Sequence, residues 1–79
     1  MIDRLLGKKV IGIKQSKKAM KNGDGKCLYI ANDADFKIIK PLIQLAQKQG
    51  IQVIYVDTMK ELGKICGIEV GSAATLLLK

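Results

Sequence analysis

The chain has 79 residues, 48% of them apolar, with fourteen Lys and Arg against seven Asp and Glu, a net charge of +7 and no histidine. That length suits one small domain covering residues 1–79, and the apolar share excludes an intrinsically disordered chain. Residues 1–26 hold eight basic residues against two acids, and residues 27–79 six against five, so one face is basic and suits a polyanion, nucleic acid above all.

Met1-Ile2-Asp3-Arg4 opens no apolar stretch of signal length, and residues 1–7 read as a short helix packed on one face. Val10-Ile11 is the first strand candidate. Residues 14–22 follow as a helix, with Gly23 as the left-handed residue that ends it. Cys27-Leu28-Tyr29-Ile30-Ala31 is the second strand. Residues 35–39 form a separate turn before a helix over residues 41–49, whose first turn tolerates Pro41 because no N–H is needed there. Leu42, Leu45 and Ala46 give that helix its apolar stripe, and Gly50 ends it. Val53-Ile54-Tyr55-Val56 is the third strand. Thr58-Met59-Lys60-Glu61 is a capping box that opens a third helix, with Met59, Leu62 and Cys66 facing inward and Gly67 as its stop. Thr75-Leu76-Leu77-Leu78 closes the chain as a fourth strand.

These strand runs are short and nearly continuous in apolar residues, as in strands covered on both faces. Their alternation with helices gives an α/β fold: a three-layer α/β/α sandwich around a small mixed four-stranded sheet. Ligands of such sheets bind at the strand-to-helix turns. No run approaches the length of a membrane span, so the expected setting is cytoplasmic and away from membranes.

Catalytic and metal chemistry find little support. Cys27 and Cys66 lack CxxC spacing and there is no histidine, so no zinc site, other metal site or cofactor is expected. Their spacing leaves a disulfide open, although apolar neighbours suit free buried thiols. Asp33, Asp35 and Asp57 stand where helix caps are needed and read as caps rather than catalytic carboxylates. The phosphate-loop order GxxxxGK[ST] is absent, and no titratable pair marks a pocket, so the chain does not read as an enzyme.

Two glycine motifs carry the functional signal. In Gly12-Ile13-Lys14-Gln15-Ser16-Lys17-Lys18 a glycine meets a basic helix start, where backbone N–H groups and lysines together can hold phosphate. Gly12 permits close approach of a nucleic-acid backbone. Lys14 and Lys18 share a face, and the Gln15 amide can both donate to and accept from a base edge. The plainer reading is a tight-turn glycine with lysines facing water. In Gly67-Ile68-Glu69-Val70-Gly71-Ser72-Ala73, Ile68 and Val70 can plug the core or offer an apolar platform to an unstacked base; spacing leaves both open.

The run Met59-Lys60-Glu61-Leu62-Gly63-Lys64-Ile65-Cys66-Gly67-Ile68-Glu69-Val70-Gly71-Ser72-Ala73-Ala74 resembles, nearly residue for residue, the helix-plus-loop signature of the L-seven-Ae family of ribosomal and ribonucleoprotein subunits. The likeness extends over essentially the whole chain. It implies the same sandwich and a partner RNA containing a kink-turn, whether ribosomal RNA, a riboswitch or another structured RNA, with the ribosome as a wider setting. The family reads tandem sheared G·A pairs with Gly-x-Asn-Glu-x-x-Lys. Here Gly12 and Lys18 match, while Lys14 and Gln15 replace the Asn-Glu pair, as in small bacterial members. Lysine can donate to guanine O6 and N7, and glutamine keeps hydrogen-bonding capacity without a repulsive charge.

The resemblance also implies that Ile68, Glu69 and Val70 pack against the flipped-out nucleotide and that Lys60 touches phosphate. A monomer is expected. The competing reading is a ribosome-associated structural module that docks on RNA electrostatically without reading a kink.

Overall fold

The apolar run around Leu28 becomes the second strand of a four-stranded sheet in the computed structural model, which describes residues 8–68 and 70–79. The elements alternate as expected: β1 (Lys9–Ile11), α1 (Ile13–Lys21), β2 (Gly25–Ala31), α2 (Phe36–Lys48), β3 (Gln52–Val56), α3 (Met59–Cys66) and β4 (Ala74–Leu78). The expected helix over residues 1–7 lies outside the described residues.

The sheet order is β1-β4-β2-β3. β4 runs antiparallel to both β1 and β2, and β2 runs parallel to β3. Strands β1, β2 and β3 therefore share one direction. Alternation along β2 divides the core: Leu28 and Ile30 pack with Met20 of α1 and Ile39, Leu42 and Ala46 of α2. Ala31 and Tyr29 turn the other way, towards Leu62, Ile65 and Cys66 of α3. The result is the three-layer α/β/α sandwich around a mixed sheet, with α1 and α2 on one face and α3 on the other. Each fully buried Leu or Ile contributes about 1.5–3 kcal/mol.

The second helix departs from the local reading. It starts at Phe36 rather than near Pro41, and the expected separate turn at residues 35–39 is helical. Asp35 caps it by accepting a hydrogen bond from Lys37 N at 3.0 Å. Pro41 stands inside the helix, and without an N–H it forgoes the bond to the Lys37 carbonyl. Burial of Ile39, which the shorter helix would have left out, offsets that loss.

Met59 is a second correction. It is 37% exposed, and the buried face of α3 is Leu62, Gly63, Ile65 and Cys66. Both cysteines are buried and free. Burial pushes the Cys27 thiol above its ordinary pKa, so it stays protonated at neutral pH.

Helix α1 holds Ser16 fully buried, and among the described residues its hydroxyl has no hydrogen-bond partner. A buried hydroxyl left unpaired costs about 1–3 kcal/mol. Ser16→Ala is therefore expected to leave stability unchanged or raise it by about 1 kcal/mol. Thermal or urea unfolding reads this directly, and a loss of similar size would mean that the hydroxyl is paired in solution.

Candidate nucleic-acid interface

Because β1, β2 and β3 run the same way, the helices that follow them all begin at one end of the sheet. Three positive helix ends therefore converge there, where strand-to-helix turns bind ligands. Two are occupied by the protein's own acceptors. Asp35 caps α2. For α3, Thr58 Oγ1 accepts from Glu61 N at 3.0 Å, and Asp33 Oδ1 accepts from Met59 N at 2.7 Å. Asp35 and Asp33 thus cap helices, although Asp33 serves α3, across 26 residues of chain, rather than the helix beside it, and the cap residue of α3 is Thr58 rather than the adjacent Asp57.

Helix α1 differs. Its N-cap is Gly12, among the described residues no side chain caps it, and its first turn holds no acid. Gly12 has φ 111° and ψ 160°, a backbone shape reserved almost wholly for glycine. Its N–H donates to Ala74 O at 3.0 Å and its carbonyl accepts from Ser16 N at 3.1 Å. The turn is thereby fixed to the start of β4. Lys14, Gln15 and Lys18 are exposed at or near this open helix start. The Gln15 amide oxygen folds back towards Gly12, 2.9 Å from where a β-carbon would stand.

The loop of residues 67–73 meets the same end of the sheet. Gly67 closes α3 with φ 79°, and Ile68 N donates to Gly63 O at 3.0 Å. Ile68 is half-buried against the core under α3. Further on, Ser72 N donates to Met59 O at 3.0 Å, and buried Ser72 Oγ donates to Ala74 O at 2.8 Å. Thr75 Oγ1 lies 3.1 Å from both Ser72 Oγ and Cys66 Sγ. These bonds hold the loop against α3 while Val70 stands out, 71% exposed. Of the two apolar residues, Ile68 plugs the core and Val70 is left facing outward.

Gly71 packs on Met59, so the partly exposed Met59 side chain adjoins the Val70 segment. Sequence reasoning missed Met59 as a surface residue. Lys60 is exposed in the first turn of α3. Glu69 lies outside the described residues. The end of the sheet thus brings together an uncapped basic helix start and a tied apolar loop.

The model of the Ribosomal protein L7Ae/L30e/S12e/Gadd45 family matches residues 5–79. The chain belongs to this family. Within the L7Ae family, it is 42% identical over 73 residues to "RNA-binding protein TTE2299" of Caldanaerobacter subterraneus, covering 92% of this chain and 89% of that protein. It is 44% identical over 73 residues to "RNA-binding protein YbxF" of Geobacillus stearothermophilus, with the same coverage of both chains. A 15.5kD RNA binding protein of Giardia lamblia superposes with a TM-score of 0.84 at 22% identity, over 90% of this chain and 60% of that one, a likeness of fold. Among the described residues, no helix is long and apolar enough to cross a membrane.

Proposed function

We propose that this chain is a non-enzymatic, cytoplasmic RNA-binding protein that recognises and stabilises kink-turns, acting as a single-domain monomer on ribosomal or other structured RNA. One observation carries the reading: of three helix starts at one end of the sheet, α1 alone lacks a side-chain cap among the described residues, and it presents lysines. Its free N–H groups and positive dipole end suit a phosphate. Lys14, Gln15 and Lys18 address the edges of the G·A pairs. Val70, with Met59 beside it and Ile68 anchoring the loop, receives the extruded base; Glu69 completes that loop and Lys60 meets phosphate. Membership of a family whose description includes ribosomal proteins supports an RNA partner, as do the printed names of its relatives.

The protein binds the bent RNA better than the extended form and so shifts that equilibrium towards the bend. Neutralising about four to six phosphates gives a slope of log affinity against log salt of roughly −3 to −5. Lys18→Ala is expected to weaken binding to a kink-turn RNA by about 1–3 kcal/mol in a direct titration. An unchanged dissociation constant would remove Lys18 from the site.

A further inference from the structure

Between α3 and β4 runs a buried polar chain that packing alone does not require. Cys66 Sγ lies 3.1 Å from Thr75 Oγ1, which lies 3.1 Å from Ser72 Oγ, which donates to Ala74 O at 2.8 Å. All three side chains are buried, Thr75 completely. Each offers one hydrogen, and that count fixes the direction of the chain. A carbonyl only accepts, so the Ser72 hydrogen goes to Ala74 O. Thr75 then donates to Ser72, and Cys66 to Thr75. The Cys66 S–H is thus the first donor of a one-way relay, which is complete only with a protonated thiol.

The end of the relay joins the two halves of the site. Ala74 O accepts from Ser72 Oγ and also from Gly12 N, at 3.0 Å. One carbonyl therefore holds both the turn that opens α1 and the segment that carries Val70. Ser72 is tied to α3 as well, through its N–H on Met59 O. A buried hydrogen bond adds little net stability, and apolar replacements of the same shape can be neutral. What such bonds add in a dry interior is direction, because the groups satisfy one another in one arrangement only. We propose that Cys66 and Thr75 are positioning residues for RNA: through Ser72 they set the placement of Val70 relative to Gly12, so that one RNA meets both. This rests on the kink-turn reading above and adds to it two buried residues out of reach of the RNA.

The test titrates each protein into a kink-turn RNA and into the same RNA with an abasic unit at the extruded position. The unmodified protein is expected to bind the abasic RNA about fivefold or more weakly, having lost the base that rests on Val70. In Thr75→Val and Cys66→Ala, which break the relay, that preference is expected to fall to within about twofold. Thr75→Ser and Cys66→Ser, which keep a donor in place, are expected to retain it. Ile39→Val removes a methyl from the core on the opposite face of the sheet, so it is expected to melt earlier and keep the full preference. Should Thr75→Val fail to fold, Cys66→Ala, which removes one atom at the end of the relay, decides. Full preference in both relay variants would overturn the positioning role and leave the kink-turn reading standing. An equal loss in Ile39→Val would overturn it too, by tracing the effect to stability. Equal binding of the two RNAs by the unmodified protein would remove Val70 as a platform, and the positioning role with it.

Discussion

Gly63→Ala is expected to lower stability by about 2–4 kcal/mol and to weaken RNA binding, although Gly63 lies in a helix where alanine is ordinarily preferred. Helix propensity favours the substitution by about 1 kcal/mol. Packing opposes it more strongly. Gly63 is buried in α3, and a β-carbon there would overlap the Val70 carbonyl and stand 3.2 Å from Gly71 Cα. Both neighbours are backbone and cannot rotate aside. The loop behind them is held by Ser72, Met59 and Ala74, so relief requires breaking those bonds. In a domain of this size the loss corresponds to a melting temperature lower by roughly 10–25 °C. A variant that melts within about 3 °C of the unmodified protein and binds RNA equally would show that the loop does not rest on α3 as described.

Gly12→Ala acts at the other half of the site. With φ at 111°, an L-residue is strained whatever space surrounds it, at a cost of about 1–3 kcal/mol. The added methyl would also displace the Gln15 amide, whose oxygen lies 2.9 Å from its position. Under the proposed function a third effect joins these, because the methyl stands between the open helix start and the phosphate. The variant is therefore expected to melt earlier and, at a temperature where it is still folded, to bind a kink-turn RNA about tenfold or more weakly. Titration at low temperature separates binding from stability. Loss of stability with unchanged affinity would confine Gly12 to a structural turn.

The parts of this account legible in the sequence are those set by neighbours along the chain. Thr58 and Glu61 form their cap within one helical turn, and Gly23, Gly50 and Gly67 each follow a helix end with positive φ. Strand runs were legible because β2 and β4 are buried on both faces. The misreadings came where distant contacts outweighed a local rule. Pro41 suggested a helix start, but the Asp35 cap and the burial of Ile39 begin α2 five residues earlier.

Met59 fits an inward stripe with Leu62 and Cys66 by spacing, yet it is partly exposed and lies against Gly71. Asp33 reaches Met59 across 26 residues, a link no periodicity reports. The convergence of three helix starts follows from the shared direction of β1, β2 and β3, which sequence order alone does not specify. The different placement of Ile68 and Val70 likewise depends on how α3 ends. Ile68 N is drawn back to Gly63 O, which turns Ile68 to the core and leaves Val70 outside.

The most direct test of the central claim changes the RNA rather than the protein. The chain is titrated into a labelled duplex containing a standard kink-turn, and into the same duplex with its G·A pairs replaced by Watson–Crick pairs. Tight binding to the first and binding at least about tenfold weaker to the second is the predicted result, with Lys14 and Gln15 serving in place of Asn-Glu. Equal binding to both would contradict it and leave a basic module that docks on RNA without reading the kink.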